Sequence, residues 1–268
     1  MTRCLVDGRP AESVPADDRG LLYGDALFET IAFHDSRAPL WALHWQRLKR
    51  GGDLLGIELP EQSLLLMDCR RLAPPGCAVI VRVSVTRGSG GRAYFPDPAM
   101  PARRIVQVRD WPVDLERQRR EGLVVITAST TLATGSMLAG LKHANRLEQV
   151  LAAQECAAAD ADEAMIFDNQ GALVEAIAAN LIVEFGNRAV TPLSDSGVAG
   201  VGLAWHEARS DIELERARVT RADLDSASGI MVINSVAGIR PVRQLDGRRL
   251  DVTDRCRAWQ RLWSHHLS

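Results

Sequence analysis

Strand-like and helix-like hydrophobic periodicities follow one another along this 268-residue chain, and they predict a mixed α+β / α/β fold in two domains. Three observations carry that expectation. The valine-rich run at residues 77–86 and the continuous apolar run at 230–234 read as strands, the second a buried one. Apolar residues at helical spacing, as from Trp41 and from Arg146, read as helices. The polar, irregular stretch 111–121 belongs to neither pattern and reads as a linker between a smaller N-terminal α/β domain, residues 1–110, and a larger C-terminal domain, residues 122–268.

In the first domain, residues 1–6 read as a short strand, with Asp7-Gly8 as the hairpin turn into a second strand near residues 11–14. After the polar turn Asp17-Asp18-Arg19-Gly20, residues 27–33 alternate as a strand does. Gly24 ahead of them marks a backbone position where a side chain would be in the way. Trp41, Leu43, Leu48, Leu54 and Leu55 mark a helix that ends near Gly51-Gly52 or shortly after, with His44 and Arg47 one turn apart on a shared face. Residues 61–72 form a second helix, stopped by Pro74-Pro75-Gly76. Between the strands 77–86 and 104–108 lies Arg87-Gly88-Ser89-Gly90-Gly91-Arg92, read as a flexible loop with three roles open: phosphate cradle, substrate-side loop or plain surface turn. No helix clearly starts there, and the lysine of a nucleotide-binding loop is missing.

The second domain opens with a strand at 122–128 and a threonine-rich loop. A helix over 146–159 is expected to put Leu147, Val150 and Leu151 into the core as an i, i+3, i+4 stripe. Two hairpins follow, 163–167 with 173–176 and 180–185 with 189–191, each across a turn rich in Gly, Asn or Asp. Gly200-Val201-Gly202 leads into a helix through Ala208. Then come a strand at 215–219, a short helix at 221–226, a buried strand at 230–234 and a terminal amphipathic helix over 252–266.

Composition narrows the function classes. A hydrophobic share of 46% and a charged share of 25% are those of an ordinary globular protein. The formal charge of -2 supplies no basic field for nucleic acid. Five widely spaced cysteines fit neither a disulfide framework nor a zinc knuckle, and no histidine spacing suggests a metal site. With no apolar span of membrane length and no leader pattern at the N-terminus, a cytoplasmic, non-membrane protein is expected.

Lys142 follows the apolar residues Ala139 and Leu141 and precedes an amphipathic helix. Two readings fit it. A desolvated lysine amine loses part of its preference for the charged form and can attack a carbonyl; alternatively its stem covers apolar surface while its head reaches water. Glu175 lies among Leu173, Val174, Ala176 and Ile177, where a carboxylate needs a cationic partner, unless it faces water from an edge strand.

The run Lys142-His143-x-Asn145-Arg146-Leu147-Glu148-Gln149-Val150-Leu151-Ala152 resembles the cofactor-lysine segment of aminodeoxychorismate lyases. These belong to the fold-type IV pyridoxal-phosphate enzymes, with the D-amino-acid and branched-chain aminotransferases. Five further segments resemble the family in its order: 23–30, His44-x-x-Arg47-Leu48, 87–94, Asp162-Glu163-Ala164 and Val174-Glu175-x-x-x-x-Asn180-Leu181. The resemblance implies a larger domain with a β-barrel-like sheet core, a homodimer and pyridoxal 5'-phosphate as cofactor. It implies Lys142 on the cofactor aldehyde, Glu175 on the ring nitrogen and Arg47 on the phosphate. Val201 and Gly202 at a helix start, with Asn234 and Ser235 after a buried strand, offer further phosphate donors. Arg92 and Tyr94 are candidate substrate-side groups. The implied reaction converts 4-amino-4-deoxychorismate into 4-aminobenzoate and pyruvate, the former a folate precursor. A D-amino-acid or branched-chain aminotransferase and a cofactor-free scaffold are the rival expectations. Two positions depart from the family pattern: Ala26, where glycine is usual, and Leu203, where many members have arginine.

Overall fold

A computed structural model describes residues 3–11, 13–209 and 212–267, backbone only at 266 and 267. The chain forms two compact units, residues 1–111 with 141–145, and residues 112–140 with 146–268. The α+β architecture expected from the sequence is the one it adopts.

The first unit comprises β1 (Cys4–Val6), β2 (Arg9–Pro10), α1 (Arg19–Tyr23), β3 (Ala26–His34), α2 (Trp41–Leu55), α3 (Gln62–Leu72), β4 (Ala78–Thr86) and β5 (Arg103–Asp110). Its sheet runs β2-β1-β5-β4-β3, every pair antiparallel. Because strand side chains alternate between faces, Leu27, Glu29, Ile31 and Phe33 share the buried face of β3. There Leu27, Ile31 and Phe33 join Leu48 of α2 and Leu65, Cys69 and Leu72 of α3 in one core. Gly51, inside α2, lies so close to Leu27 that an added Cβ would come 2.8 Å from its methyl carbons. This helix therefore continues through Gly51-Gly52 and ends on Gly56, whose φ is +63°. The second hairpin strand is the short β2, ahead of the expected position; Met1, Thr2 and Glu12 of the expected hairpin lie outside the described residues.

Residues 141–145 complete this unit as an extra edge on β3. Phe28 N–H donates to Lys142 C=O at 2.9 Å, Ala144 N–H donates to Ala26 C=O at 2.9 Å, and Leu27 pairs with His143. The loop 87–92 is tied down where a flexible one was expected. Arg87 holds Asp25 through Nε at 2.7 Å and the carbonyls of Leu55 and Gly56 at 2.7 Å each.

The second unit comprises α4 (Leu115–Glu121), β6 (Leu123–Leu132), α5 (Leu147–Ala158), β7 (Glu163–Asp168), β8 (Leu173–Ala176), β9 (Asn180–Phe185), β10 (Arg188–Pro192), α6 (Val201–Glu207), β11 (Glu215–Ala217), α7 (Arg221–Asp225), β12 (Gly229–Asn234), β13 (Gly238–Leu245), β14 (Arg248–Arg249) and α8 (Asp254–Leu267). Its sheet runs β11-β10-β9-β12-β13-β6-β7-β8, with β14 on β13. The sheet curls back on itself. Ala172, just before β8, pairs with Thr220, and Leu173 N–H donates to Val219 C=O at 2.7 Å, so one edge meets the segment that follows the other. Leu123, Val125, Met165, Leu181, Val183, Ile230, Val232 and Val242 fill the interior. The expected linker is half helical: α4 packs on β13, with only Leu115 buried, too little apolar pattern to announce a helix.

Helix α5 lies within one residue of its expected bounds at each end and buries the opposite face. It buries Gln149, Ala152 and Cys156 and leaves Leu147, Val150 and Leu151 at 74%, 49% and 51% exposure. Small residues let the helix approach β6 and β7 closely, over Ala128, Ala164, Ile166 and Val174. Among the described residues no helix is long and apolar enough to cross a membrane.

Candidate active site

In the first unit the edge pairing with β3 sets Lys142 beside Phe28, its Nζ 4.5 Å from the ring centroid. The side chain is half-buried. Arg82 lies over the same ring at 4.0 Å. His143 is half-buried too and pairs through its backbone with Leu27. Asn145, at the end of this stretch, sits where a Cβ on Gly24 would fall, which requires glycine at Gly24 on space as well as on its φ of +63°.

A second group was missed in the sequence. Glu29 is 1% exposed on the core face of β3, and α2 supplies two partners one turn apart. Arg47 donates from Nε to Oε1 at 2.8 Å and from Nη2 to Oε2 at 2.5 Å; His44 Nδ1 lies 2.6 Å from Oε2. Burial pushes the Glu29 carboxyl up, but the Arg47 charge and hydrogen bonds, then those of His44, carry it down to about 2. Burial is also the largest influence on His44 and pulls its pKa below the usual value, against the upward effect of Glu29. A neutral His44 donates from Nδ1 to the carboxylate, and its buried Nε2 then has no hydrogen-bond partner among the described residues. The signal that could have found the triad is the acidic residue in the buried register of a strand.

In the second unit Glu175 is 4% exposed on β8. Gln149 Nε2 donates to its Oε1 at 3.2 Å and Val198 N–H donates to its Oε2 at 2.8 Å. Asn180 Nδ2 donates to Val198 C=O at 3.0 Å, so the backbone of Val198 is held through both its N–H and its C=O. The same loop pairs with Gly140, two residues before Lys142 in the chain: Gly140 N–H donates to Gly197 C=O at 2.8 Å and Ala199 N–H to Gly140 C=O at 3.1 Å. Gly197 has φ +77°, and a Cβ there would come 2.9 Å from Glu175 Oε2.

Val201 opens α6, and Gly202 packs on the turn after β12, where its Cβ would lie 2.7 Å from the Asn234 carbonyl carbon and 3.0 Å from Ser235 N. Val201, Gly202, Asn234 and Ser235 are therefore gathered at one place. The Asn234 side chain is spent on its own turn: Oδ1 accepts from Val236 and Ala237, and Nδ2 donates to Ala178 C=O. Leu203 is buried beside them at 6% exposure. Edge-on ring contacts of Trp205 with Trp263 and of His206 with Trp259 fasten α6 to α8. Arg92 and Tyr94 are exposed in a turn of the first unit, pinned by Arg19, whose Nη1 donates to Ala93 C=O at 2.8 Å.

A family model described as amino-transferase class IV matches residues 26–245, most of the chain. The chain belongs to the class IV aminotransferase family. Among similar proteins of this family, a crystal structure of 4-amino-4-deoxychorismate lyase from Pseudomonas aeruginosa is 35% identical, with a TM-score of 0.90 over 98% of each chain. An aminodeoxychorismate lyase of Vibrio harveyi is 29% identical over 88% of this chain and 89% of its own length. A putative branched-chain-amino-acid aminotransferase of Methanocaldococcus jannaschii is 30% identical over 91% of this chain and 86% of its own length. This class IV chain therefore shares its family with both lyases and transaminases.

Proposed function

We propose that the chain is a 4-amino-4-deoxychorismate lyase, releasing 4-aminobenzoate and pyruvate for folate synthesis. The observation that carries this reading is the likeness to the Pseudomonas aeruginosa lyase along nearly the full length of both chains. The cofactor is pyridoxal 5'-phosphate. The residues fit it: a half-buried amine at Lys142, a buried carboxylate at Glu175, and a glycine at the start of α6 with no room for a side chain. The chain has only two lysines, and the other, Lys49, is exposed on α2.

Lys142 would hold the cofactor through Nζ and Glu175 would hold its ring nitrogen. Arg47, Val201, Gly202 and Ser235 would hold its phosphate, with Asn234 shaping the turn that presents Ser235. When bound, the cofactor supplies an electrophilic carbon for amines and a ring that withdraws electrons from the substrate carbon next to it. Lys142 Nζ takes the proton from the substrate carbon that bears the amine, and enolpyruvate leaves from the neighbouring carbon. A proton returned to the enolpyruvyl methylene gives pyruvate, while the carbocycle becomes aromatic. Arg92 and Tyr94 are the proposed substrate-side groups. A second copy of the chain is proposed to cover the exposed apolar stripe of α5, making a homodimer.

The deciding assay incubates the purified protein with aminodeoxychorismate and, separately, with D-alanine or a branched-chain amino acid plus 2-oxoglutarate. Formation of 4-aminobenzoate in the first alone supports the lyase. Rapid glutamate formation without 4-aminobenzoate assigns a transaminase, which the likeness to the archaeal relative would favour. A protein that takes up no cofactor and shows no visible absorbance band is a scaffold.

A further inference from the structure

Gln149 is the one polar residue on the buried face of α5, between neighbours as small as Ala152 and Cys156. At 8% exposure its amide has lost its water, and its two ends fare differently. Nε2 reaches Glu175 Oε1 at 3.2 Å, whereas Oε1 is buried without a hydrogen-bond partner among the described residues. An ionised carboxylate only accepts hydrogen bonds, so it dictates that the NH2 end of Gln149 faces it; turning the amide over would set oxygen against oxygen. The orphaned oxygen is the consequence, and a buried acceptor left so is destabilising. A leucine or alanine at this position would carry no such cost. The other Glu175 oxygen is taken by Val198 N–H at 2.8 Å, which fixes the carboxylate from a second side.

We infer that Gln149 is a positioning residue: its carboxamide sets the orientation of the Glu175 carboxylate toward the cofactor ring nitrogen, and thereby the charge state of that nitrogen. The inference rests on the proposed role of Glu175. Buried, directed hydrogen bonds fix a carboxylate to within the narrow angular range that a ring N–H demands. Without Gln149, the Glu175 Oε1 atom loses the directed N–H that sets its orientation, while Val198 N–H still holds Oε2.

The test is a double-mutant cycle on the cofactor-loaded protein. Its readouts are the pH midpoint of the visible absorbance band and the dissociation constant of the cofactor. An uncharged ring withdraws fewer electrons and leaves the nitrogen joined to Lys142 more basic. Gln149→Met is therefore expected to raise the midpoint by about one pH unit and weaken cofactor binding about tenfold, one pH unit being a factor of ten in protonation. In a Glu175→Gln background the same substitution should move the midpoint by less than about 0.3 pH unit and the dissociation constant by less than about twofold. Equal shifts in both backgrounds, or none in the parent, overturn the inference. Gln149→Asn, which retracts the amide by one methylene, should shift the midpoint in the same direction and decides the matter if Gln149→Met does not fold. A parent protein with no visible band, or one whose band survives Lys142→Ala, overturns the proposed function as well. A parent with a Lys142-dependent band and an unmoved Gln149→Met midpoint overturns only the role of Gln149.

Discussion

Glu29 grips Arg47 through both carboxylate oxygens, at 2.8 and 2.5 Å, with the side chains only 2% and 10% exposed. Breaking a buried pair on one side leaves the other charge uncompensated. Glu29→Gln is expected to lower unfolding free energy by about 3–5 kcal/mol at neutral pH, read by chemical denaturation. The Glu29 pKa near 2, against 4.5 for an ordinary glutamate, puts a pH window on the effect. A depressed carboxylate pKa contributes stability above about 4.5 that is lost as pH falls through 2, about 3 kcal/mol in all. Glu29→Gln should flatten that part of the stability profile; an unchanged slope there would refute the assignment.

His44 should act in the same direction at higher pH. Its folded pKa lies below 6.5 because of burial, so the unfolded chain takes up a proton first as pH falls. Stability from this residue is present above about 6.5 and declines as pH drops through the folded value. NMR of ring-labelled protein should show the neutral Nδ1–H form of His44 persisting below pH 6.5, and a ring that titrates at or above 6.5 would contradict the structure.

The strand around Val81 was readable from its valine-rich alternation, and the one around Val232 from a short continuous apolar run, the pattern of a strand buried on both faces. Helix α5 shows where that reading stops: periodicity places Leu147, Val150 and Leu151 on one face and Gln149, Ala152 and Cys156 on another, without saying which meets the sheet. The small face won because it allows close approach to β6 and β7. Similarly, α4 escaped notice because Leu115 alone is buried. Lys142, Glu175 and the glycines at the start of α6 were proposed from family likeness, whereas the partners of buried polar groups were not legible at all. Glu29 meets residues 15 and 18 positions away, and Glu175 meets Gln149 at a separation of 26, contacts that exist only once strands and helices have packed.

Gly202 tests the proposed phosphate grip. A Cβ there would meet backbone, 2.7 Å from the Asn234 carbonyl carbon and 2.9 Å from its oxygen, and backbone cannot swing aside as a side chain can. Gly202→Ala is expected to cost about 1–3 kcal/mol of stability through overpacking. It should also push the start of α6 away from Ser235, raising the cofactor dissociation constant about tenfold or more, since tenfold needs only about 1.4 kcal/mol. Equilibrium titration of the apoprotein measures it; affinity equal to that of the parent would remove Val201, Gly202 and Ser235 from the phosphate site.

The exposed stripe on α5 makes the last prediction. Leu147 and Leu151 stand at 74% and 51% exposure at i, i+4, so both present their side chains on the same side of the helix, away from its buried residues. Carboxylates placed there cost little in a single chain, because neither side chain is buried, and cost much if a second copy covers them. Light scattering should therefore give twice the 29.3 kDa chain mass for the parent and a single chain mass for the Leu147→Glu, Leu151→Glu double variant. Far-UV circular dichroism of the two should coincide. A parent that is already monomeric would overturn the homodimer, and a double variant that remains dimeric would place the contact between copies elsewhere on the molecule.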